Sequence, residues 1–197
     1  IVGMTAIATT NIEDTQQVQN CLKKITLSSK HLLGLINDVL DMSKIESGKL
    51  TLSLDRLSLR EVMDSVVSIV QPQVKAKKQR FEVSIQDVTF ENVYCDGVRL
   101  NQVIINLLSN AMKFTPEGGA IRVSLSEEPS PIGETHVRVH LMVEDNGIGM
   151  TQEFKEKIFI SFTREDNARV QKTEGTGLGM AITKYIVDAM GGTITVD

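Results

Sequence analysis

Apolar positions in the first quarter of the chain repeat with the spacing of a long helix. Over residues 14–43 they recur at alternating intervals of four and three, with one polar member in the series. The series is Val18, Leu22, Ile25, Ser29, Leu32, Ile36 and Val39. This is the a/d seam of a coiled coil, and Leu33 and Leu40 widen it, so the pattern favours a helix in a bundle. An ordinary amphipathic helix within one globule is the alternative.

A shorter helical stretch precedes the long helix. Residues 1–9 resemble the end of a helix, and a short, mainly polar stretch at residues 10–13 separates it from the next one. Two helices with a short break between them predict a partial antiparallel hairpin. Gly48 follows the periodic region and predicts the end of the long helix, because glycine commonly terminates helices.

Strand and helix patterns interleave in the rest of the chain. Alternation with a period of two predicts strands at residues 50–54, 80–85, 121–126 and 137–143, and residues 193–196 are also strand-like. Helical spacing predicts helices at residues 59–77, 96–114 and 177–190, with a further start after Gly149. The strands at 121–126 and 137–143 should form a hairpin around a loop at 127–131. The expected class is α+β: a sandwich whose mixed, mostly antiparallel sheet carries helices on one face, preceded by the helical hairpin.

Bulk composition limits the function classes. A net charge of −4 gives no electrostatic reason for nucleic-acid binding. Cys21 and Cys95 are too few for a disulfide framework, so a reduced, intracellular compartment is expected. No apolar run is long enough to span a bilayer. Both ends interrupt predicted elements, and we therefore expect a fragment of a longer protein.

The predicted helix at 96–114 carries a polar stripe. At about 100° per residue, its polar side chains fall within an arc of roughly 80°. They are Arg99, Gln102, Asn106, Asn110 and Lys113. An asparagine oxygen suits Mg²⁺, which keeps most of its waters and adds phosphates and one or two side chains. The stripe therefore suits a nucleotide with Mg²⁺; a solvated face is the alternative, although such faces favour Glu and Lys over Asn.

Two glycine-containing motifs follow. Asp145 ends a predicted strand, where its carboxylate can accept the amino N–H of adenine, whereas guanine offers a carbonyl there; the following residues up to Gly149 could otherwise form a plain turn. The segment 175–180 opens a helix with alternating glycines, whose free N–H groups favour phosphate, although no Walker lysine follows. The charged segment 162–174 between them, with Arg164, Arg169 and Lys172, has the composition of a lid over phosphates.

In this order, the motifs resemble those of the histidine kinase branch of the gyrase, Hsp90, histidine kinase and MutL ATPase superfamily. Residues 96–115 look like its N box, 145–149 like the G1 box, 159–162 like the F box and 175–179 like the G2 box. Residues 37–50 are similar to the helix end and linker of hybrid sensor kinases.

The resemblance implies site roles. Asn110 would ligate Mg²⁺, Asn106 and Lys113 would contact phosphates, Asp145 would bind the adenine amino group, and Phe114 would line the base. Gly147 and Gly149 would shape the purine pocket beside Ile148, and the glycines at 175–179 would hinge the lid and approach the phosphates. The full expected ATP site comprises Asn106, Asn110, Lys113, Phe114, Asp145, Gly147, Ile148, Gly149, Lys172, Gly175, Thr176, Gly177, Leu178 and Gly179.

The chain departs from the family pattern at its start. The phosphoacceptor motif, a His followed by an acidic residue, Arg or Lys, Thr and Pro, has no match here. Residues 1–5 look like the stretch just after it, so we expect the acceptor upstream and no autophosphorylation by this chain alone. The predicted domains are residues 1–46, part of the dimerisation hairpin, and residues 47–197, the ATP-binding domain without its last strands.

The implied function is the catalytic module of a two-component sensor histidine kinase, with ATP and Mg²⁺ as cofactors. It would phosphorylate a His on the dimerisation helix for onward transfer to a response-regulator Asp. The implied partners are a second copy through the hairpin and a response regulator or fused receiver domain, in the cytoplasmic part of a membrane-anchored parent. Two alternatives are a hydrolytic ATPase machine, which would carry a Glu base where Asn106 stands, and a pseudokinase scaffold.

Overall fold

The computed structural model describes residues 1–165 and 175–197. Its contacts divide the chain into two compact units, Ile1–Leu50 and Thr51–Asp197. Among the residues that the structure describes, no helix combines the length and apolar character that crossing a bilayer requires.

The first unit consists of two helices. These are α1 (Val2–Thr10) and α2 (Thr15–Glu46), which pack against each other. Asp14 caps α2, because its side-chain oxygen accepts a 3.0 Å hydrogen bond from the backbone N–H of Gln17. Cys21 on α2 is only 4% exposed. Both predicted helices are therefore present, and α2 extends to Glu46.

The predicted seam of α2 is uncovered in the single chain. Five of its apolar residues are between 46 and 55% exposed: Leu22, Leu32, Ile36, Val39 and Leu40. Leu33 is 60% exposed. A continuous apolar surface of this kind on a helix usually marks an interaction face.

The second unit contains the strands and the remaining described helices. In chain order these are β1 (Asp55–Ser58), α3 (Leu59–Ala76), β2 (Arg80–Gln86), β3 (Asn92–Cys95), α4 (Gly97–Phe114), β4 (Ala120–Pro129), β5 (Val137–Asp145), α5 (Gln152–Lys155) and α6 (Gly179–Ala189). β4 lies between β2, which is parallel to it, and β5, which is antiparallel. β1 and β3 form a separate antiparallel pair. The mixed sheet with helices confirms the predicted α+β class.

The core lies between one face of this sheet and the helices α3 and α4. On β4, Ile121, Val123 and Leu125 are at most 2% exposed, whereas the residues between them carry polar side chains. They belong to the same cluster as buried residues of α3 and α4, such as Val66 and Ile104. Each buried aliphatic side chain contributes about 1.5–3 kcal/mol, so this layer fixes α4 over the sheet.

Several sequence predictions were wrong in detail. The predicted strand at 50–54 does not form; β1 begins at Asp55, and Leu54 is 63% exposed. The amide of Ser53 donates to the Asp96 carboxylate at 2.9 Å, so a side chain takes the place of a neighbouring strand. The hairpin strands pair as far as Pro129 and Val137, which moves the loop to residues 130–136. β3 was not predicted, residues 193–196 are not a strand, and the helix after Gly149 is a single turn.

Candidate nucleotide site

Helix α4 presents one polar face toward the candidate site. Asp96 caps its start, with an oxygen 3.0 Å from the Arg99 N–H, and the opposite side of the helix packs in the core. All five residues of the predicted stripe are half-buried. The stripe is therefore partly enclosed by the protein and is not a fully solvated face.

The two asparagines of the stripe have different surroundings. Asn106 donates from its amide nitrogen to the Gly179 carbonyl and the Thr183 hydroxyl, both at 3.3 Å. Asn110, one turn further along, makes no side-chain hydrogen bond to the described residues. Asn106 thus ties α4 to the start of α6, while the Asn110 amide is available for a ligand.

The described residues contain no group of three or more His, Cys, Asp or Glu side chains that could hold a metal ion. A divalent cation at Asn110 would therefore need most of its ligands from phosphate oxygens and water, which is how Mg²⁺ usually binds with nucleotides.

The carboxyl end of α4 contacts the turn that follows β5. The Phe114 carbonyl accepts a 3.2 Å hydrogen bond from the Ile148 N–H. A Cβ atom on Gly147 would lie 2.6 Å from the same carbonyl oxygen, so only glycine fits there without a shift. The Lys113 ammonium nitrogen lies 4.9 Å from the centre of the Phe114 ring, a cation–π contact.

Asp145, the last residue of β5, has one oxygen that is already bonded. Its Oδ1 accepts from the Gly147 N–H at 2.8 Å and from the Thr115 hydroxyl at 3.4 Å. Its Oδ2 makes no hydrogen bond to the described residues. Asp145 is exposed, so Oδ2 is accessible to a ligand, while Oδ1 is held by the Gly147 N–H and, through a longer bond, by the buried Thr115.

Asn146 anchors the same turn to the sheet. Its side-chain oxygen accepts from the Ala120 N–H at 2.7 Å, and its own N–H donates to the Ala120 carbonyl at 3.2 Å. Gly149 then adopts a left-handed φ of 66°. The segment thus forms a turn whose hydrogen bonds to the sheet hold Asp145 in place.

The glycine-rich segment lies against the α4 stripe. A Cβ on Gly175 would be 2.8 Å from the Lys113 ammonium nitrogen, and one on Gly179 would be 3.7 Å from the Asn106 side chain. Gly177 has a φ of 72° and accepts the Phe162 N–H at 3.0 Å, and a Cβ there would meet the Phe162 backbone at 2.9 Å. Close backbone contact and a left-handed conformation therefore both require glycine at 177.

The structure brings most of the predicted site into one region. Asn106, Lys113 and Phe114 each contact a residue of the two glycine motifs. The Leu178 N–H bonds to the Thr176 hydroxyl at 3.2 Å, and Leu178 itself is 1% exposed, so its side chain is part of the core. Lys172 lies outside the described residues.

Sequence reasoning missed the residues that support the site. Thr115, Thr183 and Asn146 make the contacts described above, and Gln79 binds the end of α4 from a distant segment. Thr115 and Asn146 lie within the segments that resemble the N and G1 boxes, and that was the available signal for them; no pattern marked Gln79 or Thr183.

A family model described as "Histidine kinase-, DNA gyrase B-, and HSP90-like ATPase" matches residues 95–197, a segment that includes every predicted site residue. The chain belongs to this ATPase family. The resemblance inferred from the motifs is therefore confirmed, and the matched domain is of an ATP-binding type.

Relatives of this ATPase include sensory and signal transduction proteins that match almost the whole chain. The sensory/regulatory protein RpfC of Xanthomonas campestris is 38% identical over 196 residues, which are 98% of this chain and 26% of RpfC. The signal transduction histidine-protein kinase BarA of Escherichia coli K12 is 34% identical, over 99% of this chain and 21% of BarA. The chain thus spans between a fifth and about a quarter of these relatives.

A solved structure resembles most of the chain. The crystal structure of full-length ShkA in complex with AMPPNP matches with a TM-score of 0.70 and 28% identity. The match covers 90% of this chain and 35% of ShkA.

Proposed function

We propose that this chain is the ATP-binding catalytic module of a two-component sensor histidine kinase. It binds Mg²⁺-ATP and transfers the γ-phosphoryl group to a histidine on a dimerisation helix, from which a response-regulator aspartate receives it. The observation that carries this proposal is the Asp145 carboxylate at the end of β5, with one oxygen fixed by the protein and the other open.

Asp145 selects adenine in this proposal. Its Oδ1 is held by Gly147 and Thr115, so Oδ2 accepts the exocyclic amino group of the base. Guanine presents a carbonyl at that position, and the carboxylate repels it. Phe114 and Ile148 line the base. Gly147 and Gly149 carry no side chains, so the base can lie close to the backbone of the turn.

The α4 stripe and the glycine-rich segment hold the phosphates. Asn106 and Lys113 face them from α4, and Gly175, Gly177 and Gly179 approach them with backbone N–H groups. Thr176 and Leu178 belong to the same segment, and we assign Lys172 to the phosphates from its sequence position.

Mg²⁺ fits the stripe at Asn110. The amide there has no side-chain hydrogen bond to the described residues, and its oxygen is a ligand type that Mg²⁺ accepts. When bound, the ion neutralises phosphate charge and orients the group that is transferred.

Asn106 argues against a hydrolytic machine of the Hsp90 or gyrase type. An amide cannot act as a general base toward water, and this amide is already engaged with Gly179 and Thr183. Phosphorylation of an imidazole needs no such base at this position, which favours the kinase.

The helical unit supplies the dimer in our proposal. The exposed apolar face of α2 pairs with a second copy, residues 1–46 form part of the dimerisation hairpin, and residues 47–197 form the catalytic domain. The acceptor histidine belongs to the parent sequence upstream, and the parent is membrane-anchored with this part in the cytoplasm. A response regulator or fused receiver domain takes the phosphoryl group.

Asp145→Asn tests whether the open carboxylate oxygen of Asp145 binds the adenine amino group. Because a charge-assisted hydrogen bond is lost, ATP affinity measured by calorimetry should fall about tenfold or more. Glu144→Gln is the matched control, since Glu144 adjoins Asp145 but faces Arg122 at 3.6 Å. Equal affinity of the wild-type protein for ATP and GTP would contradict the assignment.

A second experiment tests the transferase activity. The chain incubated with γ-labelled ATP should carry no acid-labile phosphate, and extending it upstream through the acceptor motif of its parent should restore labelling. His31 is the one histidine within residues 1–50, and label on it in the chain itself would refute the expected location of the acceptor.

A further inference from the structure

We infer that Gln79 is a positioning residue for adenine recognition, acting through Thr115 on Asp145. The inference rests on the proposed role of Asp145 as the acceptor for the amino group. Gln79 lies between α3 and β2, far from the glycine motifs in the sequence, and makes no hydrogen bond to Asp145 itself.

Gln79 is a buried amide with a defined orientation. It is 7% exposed, and its Nε2 donates to the carbonyls of Met112 at 3.0 Å and Thr115 at 2.8 Å. Because both partners can only accept, the amide nitrogen must face them. Its Oε1 is buried with no partner among the described residues, a cost that the two donated bonds offset.

These bonds supply donors at the end of α4 where the helix has none. The last carbonyls of a helix lack intrahelical partners, and Thr115 leaves the helix with an extended ψ of 129°. Gln79 bonds two of these carbonyls from one side, and Ile148 bonds the Phe114 carbonyl from the other. The same helix end is thus fixed between Gln79 and the turn that carries Asp145.

Thr115 connects Gln79 to the carboxylate. Its carbonyl is bonded to Gln79, while its hydroxyl donates to Asp145 Oδ1 at 3.4 Å. That second contact is at the outer limit of a hydrogen bond, so a small shift of the Thr115 backbone breaks it. Loss of the Gln79 bond should therefore leave Asp145 Oδ1 held by the Gly147 N–H alone, which frees the carboxylate to turn and changes the direction in which Oδ2 points.

Lys77 provides an internal comparison. Its ammonium group donates to the Met112 carbonyl at 2.7 Å but has no bond to Thr115. Lys77→Met and Gln79→Met each remove a donor from the same carbonyl, and only the second also releases Thr115. A difference between these variants therefore reports on Thr115 and not on general capping of α4.

The test compares ATP with purine riboside triphosphate, which lacks the exocyclic amino group. For Gln79→Met, the Kd for ATP should rise about five- to tenfold, and that for the analogue less than about twofold, so the preference for ATP collapses. Lys77→Met should keep the wild-type preference. Thr115→Val should cause the same loss of preference for ATP as Gln79→Met, and the double variant should lose little more than either single variant.

The inference would be overturned if Gln79→Met weakened the binding of both nucleotides equally, or left the preference for ATP over the analogue unchanged. Gln79 would then only cap the end of α4. If Gln79→Met does not fold, Gln79→Asn makes the same test, since it keeps the donor but shortens its reach. The proposed function fails separately: a wild-type protein without preference for ATP over the analogue refutes the role of Asp145, whatever Gln79 does.

Discussion

Replacing Gly147 with alanine should damage the base site directly. The added Cβ would lie 2.6 Å from the Phe114 carbonyl oxygen and 2.6 Å from Asp145 Oδ1. Gly147 does not have a left-handed φ, so the effect comes from contact and not from backbone conformation. One of the atoms is main chain at the end of a packed helix, and the other is the oxygen that the Gly147 N–H itself holds.

The size of the effect follows from these two contacts. The α4 end cannot retreat easily, because Ile148 bonds the Phe114 carbonyl and Gln79 bonds the next one. Relieving the overlap should cost about 1–3 kcal/mol of folding stability. If Asp145 turns away, a charge-assisted bond worth about 1.5–3 kcal/mol is lost, which corresponds to roughly ten- to hundredfold weaker ATP binding.

Calorimetry with ATP and a thermal unfolding curve measure the two effects separately. Gly34→Ala is the control, because a Cβ there meets no atom within 4 Å on an α-helix, and the variant should bind ATP like the wild-type protein. It should also be stabilised by up to about 1 kcal/mol. A Gly147→Ala protein with wild-type ATP affinity would show that the contact between this turn and Phe114 does not set the base site.

Three further predictions concern the metal, the dimer and the cysteine chemistry. Asn110→Ala should remove the Mg²⁺ dependence of ATP binding with an unchanged unfolding curve, and a persistent Mg²⁺ dependence would exclude Asn110 as the ligand. The double variant Leu32→Glu, Ile36→Glu should be a monomer in light scattering where the wild-type protein is a dimer. Leu27→Glu should remain a dimer, because Leu27 is 71% exposed and lies outside the predicted seam. A monomeric wild-type protein would disprove this face as the interface. Burial raises the pKa of the Cys95 thiol, so its alkylation should begin at higher pH in the native than in the unfolded protein. The contribution of the neutral Cys95 thiol to folding stability is complete below its unfolded-state pKa and is lost as pH rises through its folded-state pKa. Equal alkylation profiles of the native and unfolded protein against pH would contradict this.

Local periodicity was enough to locate most of the elements. The helices α2, α3 and α4 and the strands β2, β4 and β5 follow from spacings that bury one face, which neighbouring residues encode by themselves. Alternation misled at residues 50–54, because an exposed connecting segment can show the same pattern as a strand. β3 was missed because it is four residues long.

The sequence also placed Asn106, Lys113, Phe114 and the glycine motifs in one site, because their order along the chain resembles a known family. Only the tertiary structure decided how each side chain is used. In the folded chain Asn106 is hydrogen-bonded to the start of α6, and Asp145 Oδ1 accepts from Thr115. Gln79 donates to the Thr115 carbonyl across 36 residues of sequence. Such hydrogen bonds depend on how α4 packs on the sheet and where its last carbonyls end, and no local pattern of residues records that.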